Sequence, residues 1–110
     1  MSNTIVRDYH EDDAAGVIGL YDSTPMKGSF LVRDESFLRH FIRHPGVHDG
    51  VFVAEKDGEI EGIVIVPIAE REDLIEAKII ELQARNPLLA DLLVQKALQY
   101  CHQKLSLIHI

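Results

Sequence analysis

The sequence is poor in several things, and each shortage closes off a class of function. Cysteine occurs once, at Cys101. An internal disulfide framework is therefore excluded, and a reducing compartment suits the chain. Basic residues are outnumbered, with 11 Lys and Arg against 18 Asp and Glu. The net charge of −7 argues against non-specific binding to nucleic acid or to an anionic membrane. No apolar run approaches the roughly 18 residues that a membrane span needs. The opening MSNTIVRDYHEDD has neither a basic n-region nor an apolar h-region, so no secretory signal is visible. Internal repeats and low-complexity segments are also lacking. At 110 residues the expectation is one soluble, cytoplasmic domain, large enough for a core but small for a complete enzyme.

The most consequential shortage is local. Ile75 to Leu93 reads as a strand (IEAKIIELQA), a break at Arg85-Asn86-Pro87, and a helix opening with LLADLL. A strand running into a helix N-terminus is a natural anion site, because first-turn N–H groups and the helix dipole attract negative charge. Such sites usually carry a glycine-rich turn, and this joint has none.

Taken in order, Ile5 to Tyr9 predicts an opening strand. His10 stands at a cap position before Glu11, Asp12 and Asp13, three acids that suit the positive end of a helix dipole. Ala14, Val17, Ile18 and Tyr21 recur at helical spacing, which predicts a helix over about 11 to 22. Gly16 and Gly19 weaken that helix but allow close approach to a sheet. Residues 23 to 33 read as a loop, whose Met26, Phe30 and Leu31 either tuck under the domain or line a pocket. Asp34 caps a second helix with Phe37, Leu38, Phe41 and Ile42 on its apolar face, closed by His44-Pro45-Gly46. Val51 to Glu55 and Ile60 to Ile68 are strands joined through Asp57-Gly58, a strong hairpin signal because both residues accept positive φ. Residues 69 to 73 predict a polar turn, and Leu74 to Ala84 one continuous strand. Asn86 as N-cap and Pro87 at the first helical position then start a helix ending near Lys104, with Leu89, Leu92, Leu93, Ala97, Tyr100 and Cys101 on its apolar face.

Several chemical signals have plainer readings. His40 and His44, four apart with His48 following, lack the metalloprotease glutamate between them. With Arg39 and Arg43 interleaved, they read as a solvated helix face, and no metal site is expected. Cys101 has the basic neighbours His102 and Lys104, yet its place on an apolar face favours packing. The acids at 70, 72 and 73 belong to the turn.

In the order β-α-α-β-β-β-α, the chain resembles the N-terminal two-thirds of a GNAT-type N-acetyltransferase. IVRDYHEDDAAGVIGLYDS is similar to that family's opening strand and first helix. VFVAEKDGEIEGIVIV is similar to its central hairpin, and AKIIELQA with LLADLLVQKALQYC to its fourth strand and acyl-CoA-binding helix. The resemblance implies an α/β (α+β) fold, a mixed, mostly antiparallel sheet flanked by helices, truncated at its C-terminal end. It implies acetyl-CoA as co-substrate and a small-molecule or protein amine as acceptor. The backbone around Leu82, Gln83 and Ala84 would pair with the pantetheine arm. The family's Arg/Gln-x-x-Gly-x-Gly/Ala motif falls on Arg85-Asn86-Pro87-Leu88-Leu89-Ala90. Arg85 and Ala90 match, so Arg85, Asn86, Leu88 and Ala90 are the expected pyrophosphate contacts. Leu88 replaces the first glycine, and Pro87 removes one N–H donor. Glu81 is the candidate base for the amine proton, with a solvent-facing strand residue as the alternative. Tyr100, on the apolar helix face, reads as core. The departures at Pro87 and Leu88 keep a second function open, a catalytically inactive GNAT-like binding or regulatory module.

The last six residues, Leu105 to Ile110, translate a transposon end sequence used to prepare DNA sequencing libraries. Residues 1–104 are therefore the expected partial acyltransferase domain, and 105–110 an adapter-derived tail, although a terminal strand fits their alternation. Sequencing the locus from unfragmented DNA should give a different continuation after Lys104; a native frame ending in this hexapeptide would refute the expectation.

Overall fold

The computed structural model describes residues 4–23, 34–44, 46–71 and 74–106. Its centre is a sheet of order β1-β2-β3-β6, antiparallel throughout. The strands are β1 (Thr4–Asp8), β2 (Val51–Lys56), β3 (Glu59–Ile65) and β6 (Glu81–Ala84). Two further strands, β4 (Ile68–Arg71) and β5 (Leu74–Ala77), pair with each other. The helices are α1 (Ala14–Ser23), α2 (Glu35–Ile42) and α3 (Pro87–Ser106).

Both faces of the sheet are covered, which explains the near-continuous apolar runs of β2 and β3. Side chains alternate across a strand, and they divide here into two clusters. Val51, Val53, Ile63 and Ile65 pack against Ala14, Val17, Leu20 and Tyr21 of α1 and Leu38 and Ile42 of α2. Phe52, Ala54, Val64 and Val66 pack against Leu89, Leu93 and Ala97 of α3. Complete burial of each such aliphatic side chain contributes about 1.5–3 kcal/mol. Phe37 departs from its expected place, remaining exposed at the edge of α2 and stacked on Phe41.

The hairpin between β2 and β3 turns through Asp57 at φ 53° and Gly58 at φ 84°, the pair of positive values its sequence predicts. One register shift lies in this hairpin: Ala54 pairs with Gly62 but Glu55 with Ile60, leaving Glu61 as the bulged residue. Ile60 consequently packs on the α1 side, directly under Gly16. A Cβ on Gly16 would sit 2.8 Å from Ile60 Cγ1, whereas one on Gly19 would meet nothing within 4 Å among the described residues. Of the two glycines, only Gly16 serves a close approach.

The largest difference from the expected elements concerns the two long strands. Ile60 to Ile68 and Leu74 to Ala84 each divide in two, and residues 69–71 of the expected turn belong to β4. Pro67 explains the break: it has no N–H to give the ladder. The N–H groups on either side face the segment before β2, Val66 N donating to Gly50 O at 2.7 Å and Ile68 N to Gly46 O at 3.1 Å. On the facing strand Lys78, Ile79 and Ile80 lie opposite only Val66 and Pro67, since Ile65 pairs with Glu81 and Ile68 with Ala77. Three residues against two is a bulge. Gly50 must be glycine here, because a Cβ would stand 2.1 Å from Val66 O.

The capping predictions fare well. Asp34 Oδ1 accepts from Phe37 N at 3.1 Å. The three acids form a short 3₁₀ turn, Glu11–Asp13, ahead of α1, and Asp13 Oδ2 accepts from His10 N at 2.8 Å. Helix α3 extends to Ser106, two residues past the expected end. Met26, Phe30 and Leu31, Pro45, the turn acids Glu72 and Asp73, and the terminal 107–110 lie outside the described residues.

Arg7 of β1 grips Asp13 with both guanidinium arms, at 2.8 and 2.9 Å, with the Asp13 side chain 11% exposed. The Arg7 hydrogen bond is the main reason the Asp13 carboxyl titrates below its ordinary value; burial opposes it. A depressed carboxylate contributes stability that is complete above its unfolded pKa of about 3.9 and disappears as pH falls through the folded value. Asp13→Asn should therefore cost about 1.5–3 kcal/mol near neutrality, with the penalty shrinking in acid below about pH 4, as read from urea denaturation of both proteins across that range.

Candidate functional site

The candidate residues sit on β6 and the first turn of α3. Among the described residues β6 is an edge strand, paired to β3 on one side only. Alternation along it sorts the side chains. Leu82 and Ala84 pack with the α3 cluster, and Glu81 and Gln83 take the opposite face.

Glu81 is only 4% exposed, and it is the buried acidic side chain of the described core. The reading of it as a solvent-facing strand residue is thereby overturned. The bulge at Lys78–Ile80 is what turns it inward, because a shift of one residue exchanges the two faces of a strand. Its Oε1 accepts a hydrogen bond from Gln83 Nε2 at 3.3 Å. Its charge also acts on Tyr21 of α1: burial first, and Glu81 second, raise the phenol above the ordinary tyrosine range. Tyr21 enters the sequence reading only as an apolar helix position. Nothing in local spacing ties it to Glu81, sixty residues on.

Arg85 goes elsewhere. Its backbone N–H donates to Glu61 O at 3.0 Å, and its guanidinium Nε is ion-paired with Glu61 Oε2. The arginine lines a cleft of about 410 Å³ beneath α1, together with Arg7, Asp13, Gly16 and Glu55. That cleft lies at the hairpin end of the sheet, four residues along β6 from Glu81, or about 13 Å at strand rise. Arg85 thus matches the phosphate motif in sequence while its side chain is engaged on the face opposite α3.

The helix start shows which donors remain for an anion. Pro87 has none. Leu89 N is taken by the Asn86 side chain at 3.0 Å, and Ala90 N by Asn86 O at 3.2 Å. Leu88 supplies the remaining first-turn N–H, beside a side chain that is 69% exposed at the mouth of the helix. A pyrophosphate cradle uses several convergent N–H groups. This first turn is closed by its own N-cap instead, so its donor set fits a pyrophosphate poorly. The edge of β6 is the part that suits an extended ligand, since a strand edge presents backbone donors and acceptors.

The remaining candidates resolve simply. Tyr100 packs edge-on against Phe52, 5.4 Å between ring centroids. Cys101 is half-buried, and burial pushes its thiol upward, away from an activated thiolate. His40 and His44 meet edge to face at 5.5 Å, and no group of three His, Cys, Asp or Glu converges among the described residues.

Replacing the cap tests the closure of the helix start. Asn86→Ala should lower stability by about 1 kcal/mol, and Asn86→Gly by only a few tenths, both read from urea midpoints.

No protein-family model and no curated protein matches the sequence. Solved structures do match. An acetyltransferase of the GNAT family from Streptococcus pneumoniae superposes with a TM-score of 0.69 at 16% identity, over 91% of this chain and 67% of that one. An aminoglycoside N-acetyltransferase in complex with CoA gives 0.65 at 14%, over 94% and 72%. A GCN5-related glucosamine N-acetyltransferase region of a fungal multi-domain β-N-acetylglucosaminidase gives 0.71 at 24%, over 91% of this chain and 12% of that one. Sheet order, helix placement and these superpositions agree that the chain has the GNAT-type N-acetyltransferase fold.

Proposed function

We propose that this chain forms the acyl-CoA arm and part of the acceptor face of an N-acyltransferase, which moves an acetyl group from acetyl-CoA to an amine. The observation that carries the reading is Glu81, a buried carboxylate at the start of an edge strand in a GNAT-type sheet. Acetyl-CoA supplies the thioester. As the amine nitrogen bonds to the acetyl carbon, Glu81 takes its proton, directly or through water, a task for which a buried carboxylate is well placed; the C–S bond breaks and coenzyme A leaves as a thiolate that takes a proton from water. The β6 edge at Leu82, Gln83 and Ala84 offers backbone pairing to the pantetheine arm. At the helix start, Leu88 offers the remaining N–H, with Asn86 and Ala90 on either side of it. Arg85 contributes by holding Glu61 and the end of β6. The acceptor is a small-molecule or protein amine, by analogy with the aminoglycoside and glucosamine enzymes of the same fold. We place the protein in the cytoplasm on the strength of its single cysteine. No helix among the described residues is long and apolar enough to cross a membrane.

A second reading, a GNAT-like binding or regulatory module without catalysis, is favoured by one observation. The Asn86 cap and Pro87 leave a single first-turn N–H where the family's motif would offer a cradle.

Calorimetric titration of acetyl-CoA against the chain separates the two. The acyltransferase reading expects weak saturable binding, tightened several-fold by Leu88→Gly, which lets the ligand approach the backbone. No saturable heat up to millimolar acetyl-CoA would remove that reading and leave the binding module.

A further inference from the structure

Tyr21 carries a hydroxyl that its packing does not require. Its ring is completely buried between α1 and the sheet, a space that phenylalanine would fill equally well. The hydroxyl oxygen is buried too, without a hydrogen-bond partner among the described residues. Leaving such a group unsatisfied costs about 1–3 kcal/mol, so hydrophobic packing alone favours the residue that lacks it.

The second observation comes from the other side of the same compartment. Glu81 is buried on the sheet face that α1 covers, and its charge reaches the phenol. The ionisable groups that act on Tyr21 are Glu81 from β6 and, more weakly, Tyr9 beyond the end of β1. Gln83 holds one Glu81 oxygen from the neighbouring position on the strand. A buried phenol and a buried carboxylate, sixty residues apart in sequence, therefore lie on the same covered face of the sheet, Glu81 beside its cross-strand partner Ile65 of the α1 cluster.

We propose that Tyr21 is the positioning residue for Glu81, its hydroxyl donating through a bridging water to the carboxylate and, with Gln83, fixing the rotamer in which that acid meets the acceptor amine. The catalytic meaning of this pair rests on the reading of Glu81 as proton acceptor. The donor role suits the phenol, because burial keeps it protonated across the neutral range. No proton is transferred by Tyr21 itself.

The test is a double-mutant cycle on the ligand-free chain, with Tyr21→Phe, Glu81→Gln and the double variant compared by urea denaturation. The expected result is non-additivity of about fivefold or more in the folding equilibrium constant. Ring packing alone predicts additivity to within about twofold, and that result would overturn the proposal. A spectroscopic readout accompanies it. The chain has three tyrosines, so ¹³Cζ labelling gives three resonances, and Tyr21→Phe identifies its own. Glu81→Gln should move that resonance and leave Tyr100 in place; an unmoved Tyr21 signal would equally refute the assignment. If Glu81→Gln does not fold, Glu81→Asp withdraws the carboxylate by one methylene and serves the same comparison. Both readouts are free of acetyl-CoA. A failed titration with acetyl-CoA therefore removes the acyltransfer reading, whereas additivity in the cycle removes only the role of Tyr21.

Discussion

The geometry of the site depends on a mismatch of one residue between two facing strands, three positions at Lys78–Ile80 set against two at Val66–Pro67. Because side chains alternate, that single extra residue decides the facing of everything after it. With it, Glu81 and Gln83 turn toward α1, and Leu82 and Ala84 turn into the α3 cluster. Without it, an acid would turn toward the α3 cluster and a leucine toward the α1 side. Pro67 anchors the arrangement by withholding an N–H from the ladder, and Gly50 lets the segment before β2 approach closely enough for Val66 N to donate to Gly50 O. A second bulge at Glu61 does similar work at the other end of β3, seating Ile60 beneath Gly16 and giving Arg85 its partner.

The strand-to-helix joint, read as an anion site without glycines, is thus two things at once. Among the described residues, β6 keeps one edge without a partner strand. The helix start has become nearly self-sufficient: Asn86 claims the N–H groups of Leu89 and Ala90, Pro87 has none, and that of Leu88 is left. A helix cap and an anion compete for the same N–H groups. Local helix stability and phosphate affinity are in direct opposition at this joint.

What the sequence discloses follows the range of the interactions involved. Asp34 and Asn86 act on N–H groups three residues away, and Asp57-Gly58 acts through its own φ angles, so each is legible from neighbours alone. The covering of both sheet faces is legible from the apolar runs in β2 and β3. The bulges are not, because an extra residue exists only relative to a partner strand whose register the chain does not spell out. Arg85 illustrates the same limit: the motif match is local, while Glu61, which captures its side chain, belongs to another strand. The meeting of Tyr21 with Glu81 is likewise invisible to periodicity, which records Tyr21 only as apolar.

The tight turn at Asp57-Gly58 also bears on how the chain assembles. It joins the two central strands of the sheet, so the innermost pairing closes the shortest loop. By contrast, Asp8 of β1 meets Phe52 only after α1 and α2 have been spanned, the costlier closure in chain entropy. Within the four-stranded sheet the hairpin is thereby the cheapest pairing to close, with β1 and β6 on its two flanks. Assembly outward from a local centre leaves the β6 edge, with its carboxylate, among the parts of the sheet that need not be in place for the core hairpin to exist.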